Sequence, residues 1–331
     1  MYIHGLGHYH PANVITNDFL VSLDIGTTEE WIEERVGIIS RRTCLPLEYI
    51  RETRNRDPRE AFALTAGADV SAGAAAASMA MERAGIGPGD VGMVIAGGSA
   101  PELQTPAQSA AMAAALGIEA PCFDLNSACT TFGMQLMFLT RMRPGELPPY
   151  ILLVNAENLT RCVDFADRRV AVLFGDGAAA AVVSASVPSR LVCSHWGCRT
   201  RTDQWDKVSI PRGGFFHQDG SAVQGYAIRQ MTSSLRALKG VVSTNGGRFL
   251  FVGHQANLGM LKTVCERAEI DGSCHWQNVR DYGNTGCAGA PAVLSQRWDD
   301  LRGGDRVAVA LVGAGLTTVH FLVTCTGEVG G

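Results

Sequence analysis

The sequence predicts an α/β fold made of two similar halves, and three observations support this. Apolar runs of strand length alternate with longer segments of helical periodicity along most of the 331 residues. The order strand, helix, strand, helix, two strands occurs twice, although residue-level similarity between the repeats is faint. The halves are expected to meet at about residue 187, giving an N-terminal half over 1–187 and a C-terminal half over 188–331. Such alternation also predicts mostly parallel pairing, with helices on the faces of the sheet.

The first half supplies the clearest helix signals. A helix is expected from Thr27 to Arg35, because a capping threonine precedes acidic first-turn residues. The alanine-rich stretch from Phe62 to Ala84 predicts one long helix whose small side chains let another element approach closely. A third helix is predicted at 105–116. Strands are predicted at 2–7, 91–96, 120–125, 150–155 and 177–184.

The second half repeats this order. Helices are predicted at 226–241 and 258–268, and a further helix opens after the glycine-rich segment 281–291. Strands are predicted at 191–194, 249–253, 307–312 and 318–323.

Composition excludes several classes of function. A net charge of −4 argues against nucleic acid as a partner. No apolar run approaches the ~20 residues of a membrane span, and the N-terminus lacks the pattern of a signal peptide, so a cytoplasmic protein is expected. The ten cysteines are then expected to be reduced. Cys193, His195 and Cys198 lack a second ligand pair at zinc spacing, so no metal site is predicted.

One thiol, Cys129, stands between a strand-like run and a segment of helical periodicity, in Asp124-Leu-Asn-Ser-Ala-Cys-Thr-Thr-Phe-Gly133. Free N–H groups and the dipole at a helix N-terminus favour an anion, so a thiolate is expected to form more easily there. A thiolate is a nucleophile that can take up an acyl group. The alternative is a buried structural cysteine, a common role for a free thiol.

Two other polar residues occupy comparable positions in the order of elements. His254 directly follows the strand predicted at 249–253, and Asn284 lies in Gly283-Asn-Thr-Gly286 before a helix. A structural histidine and a turn asparagine are the alternatives to catalytic roles. The coincidence of a thiol, an imidazole and an amide at the ends of elements favours one shared site.

Five stretches, in this order, resemble the signature set of β-ketoacyl-acyl carrier protein synthase III and its relatives. They are Ser127-Ala-Cys-Thr-Thr-Phe132, Phe174-Gly-Asp-Gly-Ala178, His254-Gln-Ala-Asn257, Tyr282-Gly-Asn-Thr285 and Gly313-Ala-Gly-Leu316. The opening segment 30–38, with Arg41 or Arg42, is similar to the start of that family. The resemblance covers nearly the whole chain. It implies the thiolase fold, two fused α/β halves in a five-layer αβαβα arrangement, and a homodimer.

The resemblance also implies a covalent reaction without a metal or other cofactor. Cys129 would accept an acyl group from a thioester of coenzyme A or acyl carrier protein. Backbone N–H groups of Cys129, Ala314 and Gly315 would hold the oxyanion. His254 and Asn284 would donate hydrogen bonds to the carbonyl of a second thioester, whose carbanion attacks the acyl group. Phosphopantetheine-linked thioesters are the implied substrates, and acyl carrier protein is the implied partner.

Five positions are implied to contact substrate. Trp31 would stack on adenine, Arg35 would meet a phosphate, and Arg168 lies near another coenzyme A contact. Asn257 would border the phosphopantetheine tunnel. Thr105 stands where the family has a gating phenylalanine. The alternative is that these are ordinary surface side chains without a role in binding, and it applies to Trp31, Arg35, Arg168 and Asn257.

Three departures from the family pattern bear on the substrate. Thr105 replaces the bulky gate, Gly259 stands where the typical member has an arginine, and the stretch 196–225 does not follow the usual pattern. Loss of the gate and of a phosphate-binding arginine favours a longer acyl chain delivered on a carrier protein. The sequence leaves open whether an acidic carrier docks on arginines such as Arg161, Arg199 or Arg201.

The sequence therefore predicts a stand-alone condensing enzyme of the ketosynthase III type in a secondary-metabolite, polyketide-like pathway. Its second substrate is either a malonyl extender that loses CO₂, or a β-ketoacyl chain whose acidic methylene needs no decarboxylation and whose product closes to an α-pyrone. One alternative is a housekeeping fatty-acid initiation synthase. Another is an acyltransferase acting on a hydroxyl or amine, for which an acid is expected in place of Asn284. A third is a non-catalytic dimer partner.

Overall fold

The computed structural model describes residues 1–242 and 246–327 as alternating strands and helices. Within these residues the strands are β1 Tyr2–Tyr9, β2 Asn13–Thr16, β3 Ser40–Thr43, β4 Val91–Gly97, β5 Cys122–Asp124, β6 Tyr150–Glu157, β7 Gly177–Ser184, β8 Leu191–Thr200, β9 Val208–Ser209, β10 His217–Gln218, β11 Phe249–Gly253, β12 Arg306–Gly313 and β13 Thr317–Cys325. The helices are α1 Asn17–Ser22, α2 Glu29–Val36, α3 Leu47–Thr53, α4 Pro58–Leu64, α5 Ala68–Ala84, α6 Gln108–Leu116, α7 Thr131–Thr140, α8 Arg168–Ala171, α9 Gly220–Gly240, α10 Leu258–Ala268, α11 Val279–Tyr282 and α12 Gly289–Gln296.

Nine strands form one sheet in the order β11-β12-β13-β8-β1-β7-β6-β4-β5. β4 pairs in parallel with β5 and β6, whereas β6, β7 and β1 pair antiparallel in turn. The same pattern recurs at the other end, with β11 parallel to β12 and then β12, β13 and β8 antiparallel. Two residue pairs, Tyr2 with Val192 and Ile3 with Leu191, join β1 to β8. The boundary predicted near residue 187 falls between β7 and β8, and a division into domains there stays a prediction.

The expectation of mostly parallel pairing is wrong, because most neighbouring strands of this sheet run antiparallel. Residues 314–316 alone separate β12 from β13. A connection this short closes a hairpin, whereas a parallel pair needs a crossover of roughly a dozen residues or more. Alternation of strands and helices therefore predicts the parallel crossovers correctly, but it misses the antiparallel direction of the strand that ends each repeat.

Helices and strands stack in five layers, as expected. α5 and α6 cover the outer face of β4, β6 and β7 through a core that includes Ala76 and Met112. α9 and α10 cover the outer face of β12, with Leu235 and Leu261 in the core between them. α7 and α12 lie between the two groups of strands, and Phe132 of α7 packs in one core with residues of β6, β12 and α12.

The alanine-rich stretch allows the close approach that its composition predicts, but it forms two helices instead of one. A Cβ at Gly7 of β1 would lie 1.8 Å from the Ala76 carbonyl oxygen, so strand and helix backbones are in direct contact. Between α4 and α5, Gly67 has φ of +81°, and its N–H donates to the Glu102 carboxylate at 2.8 Å. This tertiary contact overrides the helical propensity of the flanking alanines.

Most other differences from the predicted elements lie at element ends. The threonine that caps α2 is Thr28 and not Thr27, because the Thr28 hydroxyl accepts a hydrogen bond from the Trp31 N–H at 3.2 Å. β8 continues to Thr200 although the prediction ended at 194, and α9 begins at Gly220 although the prediction began at 226. β7, β11 and α10 have the predicted bounds.

Arg161 is not available for docking a carrier protein, so that option is wrong. Its side chain is fully buried, and its guanidinium donates to Asp69 at 2.6 Å. The ring of Phe62 packs on the same guanidinium at 4.3 Å. Arg199 is exposed, whereas Arg201 pairs with Asp203 at 2.7 Å.

No helix within residues 1–242 and 246–327 is both long and apolar enough to cross a membrane. In the same two ranges, no three His, Cys, Asp or Glu side chains are grouped as metal ligands.

Candidate active site

Cys129 lies in the turn between β5 and α7, two residues before α7 begins at Thr131. The residue before it, Ala128, has φ of +46°, a left-handed conformation that alanine rarely adopts. The Asn126 side chain supports this turn, because its oxygen accepts the Ala128 N–H at 2.8 Å. No glycine marks this position, so the left-handed backbone at Ala128 was not predictable from the sequence.

The expected ease of forming a thiolate is wrong. Burial raises the pKa of the Cys129 thiol to about 12, and the neighbouring Glu157 carboxylate contributes to the increase. Loss of solvation therefore outweighs the helix N-terminus. The thiol is therefore protonated at neutral pH, and any nucleophilic attack by its sulfur requires transfer of that proton.

A glycine turn packs directly against the backbone of Cys129. A Cβ added at Gly313 would lie 3.0 Å from the Cys129 backbone nitrogen and 3.4 Å from its Cβ. Gly315, two residues further, has φ of +117°, which only glycine adopts freely. The predicted oxyanion N–H groups of Cys129, Ala314 and Gly315 thus come from two segments in contact.

His254 follows β11 directly and is nearly buried, with 7% of its surface exposed. Its backbone N–H donates to the Ala310 carbonyl of β12 at 2.9 Å. Because β11 and β12 are parallel, His254 lies at the same edge of the sheet as the end of β12 at Gly313. Burial lowers the pKa of His254 to about 4. Its imidazole is therefore neutral at pH 7, with one N–H to donate.

Asn284 is held between α11 and α12 by its backbone. Its N–H donates to Leu173 at 2.8 Å, and its carbonyl accepts from Gly175 at 3.1 Å. Its side-chain oxygen accepts the N–H of Gly286 at 3.0 Å. Since only the oxygen of an amide can accept that bond, the NH₂ group is left as a donor.

The Phe174–Ala178 stretch supports Asn284 structurally. A Cβ at Gly175 would lie 2.1 Å from the Tyr282 carbonyl oxygen, so the two backbones touch there. The buried Asp176 carboxylate accepts both the N–H and the hydroxyl of Thr160, at 2.8 and 2.6 Å. These contacts fix the segment against which Asn284 is bonded.

A cavity of about 590 Å³ brings four of the predicted residues together, namely Trp31, Arg35, Asn257 and Asn284. Arg168 joins this group through Trp31, because its guanidinium lies 4.9 Å from the centre of the indole ring. The Asn257 side chain also caps α10, where its oxygen accepts the Met260 N–H at 2.7 Å.

The structure does not bring every predicted residue to this cavity. In the part of the chain that the structure describes, neither Cys129 nor His254 is among the lining residues. Thr105 is exposed in the segment before α6 and is also outside the cavity. Sequence reasoning missed Glu157, a fully buried carboxylate at the end of β6; a charged residue closing an otherwise apolar strand was the available signal.

Comparison with known proteins identifies two matching family models. The model of 3-oxoacyl-[acyl-carrier-protein (ACP)] synthase III matches residues 123–200, and the model of its C-terminal part matches residues 249–325. The β-ketoacyl-[acyl-carrier-protein] synthase III 2 of Vibrio vulnificus is 32% identical over 95% of this chain and 85% of its own length. The matched regions contain Cys129 in the first case, and His254 and Asn284 in the second.

Solved structures resemble the chain over nearly its full length. The 3-oxoacyl-[acyl-carrier-protein] synthase III of Aquifex aeolicus superposes with a TM-score of 0.84 at 26% identity, covering 98% of this chain and 99% of its own. The priming β-ketosynthase of the R1128 polyketide pathway gives a TM-score of 0.81 at 26% identity, covering 99% and 96%. These superpositions confirm the predicted fold.

Proposed function

Because this chain belongs to the β-ketoacyl-acyl carrier protein synthase III family of the thiolase superfamily, we propose that it joins an acyl group on Cys129 to a second thioester. The packing of the Gly313–Gly315 turn on the backbone of Cys129 is the observation that carries the proposal. The hydrogen bond from the Gly286 N–H to the Asn284 side-chain oxygen adds support, because it leaves the NH₂ group of Asn284 as a donor.

The first step is acyl transfer. The Cys129 sulfur attacks the carbonyl carbon of the donor thioester, the carbon–sulfur bond of the donor breaks, and the donor thiol leaves with the proton lost by Cys129. The oxygen carries negative charge in between. The N–H groups of Cys129, Ala314 and Gly315 are suited to stabilise it, because they are fixed in direction before the charge develops.

The second step forms a carbon–carbon bond. His254 and Asn284 each donate one hydrogen bond to the carbonyl of the second thioester. Loss of CO₂ from a malonyl group, or transfer of a proton from a β-keto methylene to solvent, then leaves a carbanion whose charge is shared with that oxygen. The carbanion attacks the acyl carbon, the carbon–sulfur bond to Cys129 breaks, and the sulfur leaves as a thiolate that takes up a proton from solvent. A neutral His254 suits this role, because it can donate a hydrogen bond to the carbonyl oxygen without placing a positive charge in a buried site.

The cavity beside Asn284 is proposed to hold the phosphopantetheine arm. Arg35 stands exposed at its wall and can meet a phosphate, while the Trp31 ring offers a surface for a base. Two ion pairs also lie at the wall, Lys207 with Asp219 at 3.5 Å and Arg169 with Asp167 at 2.7 Å. No metal or further cofactor takes part in the proposed chemistry.

Three sequence features support the finer proposal of a longer, carrier-bound acyl group in polyketide-like metabolism. Thr105 and Gly259 replace larger side chains, and the stretch 196–225 departs from the family pattern. Two β-ketoacyl chains joined into an α-pyrone, or a malonyl extender, are both compatible with the proposed steps. Housekeeping initiation is the second candidate, favoured by the names of the most similar relatives. An acyltransferase acting on a hydroxyl or amine is disfavoured by Asn284.

A homodimer and docking of acyl carrier protein complete the proposal. β5 is the last strand of the sheet, and its Phe123 packs edge to face on Phe138 at 6.4 Å. Phe138 is 41% exposed and Leu103 is 54% exposed. Exposed apolar side chains beside an open strand edge are typical of surfaces that pair with another chain.

Intact-protein mass spectrometry tests the proposal. Incubation with a panel of acyl-coenzyme A and acyl carrier protein thioesters is expected to give one adduct of acyl mass, followed by a condensed product once a malonyl or β-ketoacyl thioester is added. A long acyl group on a carrier is expected to load faster than acetyl-coenzyme A. Absence of an adduct with every donor would contradict the condensing function and the acyltransferase alternative together.

Thr105→Phe tests the proposed gate. Thr105 is exposed in the single chain, and it is proposed to border the acyl site across the homodimer contact. A phenyl ring there is expected to lower loading of long acyl chains by about 10-fold and to leave acetyl loading unchanged, because overfilling the proposed site would cost about 1–3 kcal/mol. Loading rates for a chain-length series in both proteins measure this. Thr105→Ser is the matched control. An unchanged chain preference would show that Thr105 is not a gate.

A further inference from the structure

A buried carboxylate that the proposed reaction does not use lies at the end of β6. Glu157 is 1% exposed, yet three donors surround its carboxylate. The backbone N–H and the hydroxyl of Ser99 donate to it at 2.9 and 2.8 Å, and the Cys287 N–H donates at 3.1 Å. All three groups donate and so favour the ionised form, but burial outweighs them and raises the pKa of Glu157 above its ordinary value.

The turn after Asn284 is built against this carboxylate. Gly286 has φ of +55°, and a Cβ there would lie 2.5 Å from a Glu157 carboxylate oxygen. The N–H of Gly286 holds the Asn284 side-chain oxygen, and the next N–H, that of Cys287, holds Glu157. Two consecutive backbone N–H groups of one turn therefore donate hydrogen bonds, the first to the side-chain oxygen of Asn284 and the second to the Glu157 carboxylate.

Glu157 also reaches the segments around Cys129. Ser99 follows β4, and a Cβ at Gly97, the last residue of β4, would lie 2.4 Å from the Thr131 methyl in the first turn of α7. The Cys287 thiol contacts the Gly97 carbonyl oxygen at 3.7 Å. The end of β4, the turn after Asn284 and the start of α7 thus meet around one carboxylate.

We propose that Glu157 is a positioning residue that anchors the turn after Asn284 to the loop after β4, and so sets the direction of the Asn284 amide during condensation. This inference rests on the proposed function. When ionised, the Glu157 carboxylate raises the pKa of the neighbouring Cys129 thiol, whereas His254 and Cys287 are neutral at pH 7. Burial lowers the pKa of His254 and raises the pKa of Cys287.

Glu157→Gln tests the inference with little change in shape. A glutamine can accept through its oxygen, but its NH₂ group must then face a backbone N–H, so one anchor is lost. Loading of Cys129 is expected to stay within about twofold of the original rate. Condensation is expected to fall by up to about 100-fold, the cost of misplacing a catalytic group by about 1 Å. Single-turnover loading and product formation, measured separately, distinguish these effects.

A second readout is the pH dependence of Cys129 alkylation by iodoacetamide. Removing a negative charge makes the thiolate easier to form, so the pH midpoint is expected to move down in Glu157→Gln. A purely structural role would not move it in that direction. Glu157→Asp keeps the charge, so it is expected to retain the original midpoint and part of the condensation rate. Asp69→Asn, at a buried carboxylate bonded to Arg161 instead, is the control and should leave the midpoint unchanged.

The outcomes separate this inference from the proposed function. Normal condensation and an unchanged alkylation midpoint in a folded Glu157→Gln protein would overturn the inference while leaving the proposed function intact. If the unmodified protein loads no donor, the proposed function fails, and the alkylation midpoint alone decides whether Glu157 acts at Cys129. If Glu157→Gln does not fold, the Glu157→Asp protein provides the test, since full condensation there would contradict an anchor that depends on distance.

Discussion

Cys129→Ala is expected to abolish acyl loading. The alanine has no nucleophile, while the turn around it and the glycine segment at 313–315 remain, so the protein should fold and bind thioesters without forming an adduct. Condensation is expected to fall by about 1000-fold or more, because nothing replaces a covalent nucleophile. Intact mass after incubation with each donor measures the first effect, and product formation measures the second.

Cys198→Ala is the matched control for this experiment. Cys198 is an exposed thiol on β8, so its loss should leave the adduct in place. An adduct that persists in Cys129→Ala but disappears in Cys198→Ala would show that Cys198 is the nucleophile. That result would contradict the assignment of Cys129.

His254→Ala and Asn284→Ala are expected to separate the two steps of the reaction. Neither residue is assigned to acyl transfer, so loading should remain close to that of the unmodified protein. Condensation should fall by about 100- to 1000-fold in each variant, the usual cost of removing one donor from a developing oxyanion. Single-turnover experiments with preloaded protein measure the second step directly.

The pH dependence of the condensation rate tests whether His254 acts as a neutral donor. Burial lowers the pKa of His254 to about 4, so the imidazole is neutral at higher pH and gains a proton only as the pH falls through that value. The condensation rate is therefore not expected to follow a histidine titration between about pH 5 and pH 8. A rate that changed with a midpoint near 6.5 would contradict a buried neutral donor. His195→Ala, at an exposed histidine of β8, should change neither step.

Sequence pattern predicts the central elements well, because their signals are local. β7, β11 and α10 have the predicted bounds, since each is a strong apolar or periodic run ended by glycine or polar residues. The split between α4 and α5 was not predictable in this way. It depends on Gly67 donating to Glu102, a residue distant in sequence.

The candidate site likewise has a part that local motifs predict and a part that depends on contacts between distant residues. Motifs name Cys129, His254 and Asn284, but they carry no information on solvation. The pKa of Cys129 moves opposite to the expectation because burial and Glu157 act on it, and neither is visible in the residues next to the thiol. Glu157 itself was missed because its partners, Ser99 and Cys287, come from other strands and turns.

The contact between Gly313 and Cys129 has a consequence for the chain as it is made. The two residues are 184 positions apart (313 minus 129), yet their backbones touch. At roughly 5–20 residues per second, the ribosome adds Gly313 about 10–40 s after Cys129. During that interval the nascent chain carries the proposed nucleophile without the proposed oxyanion groups of residues 314 and 315. Under the proposed mechanism, acylation would therefore begin only once the C-terminal strands have been synthesised and folded, and incomplete chains would not be loaded.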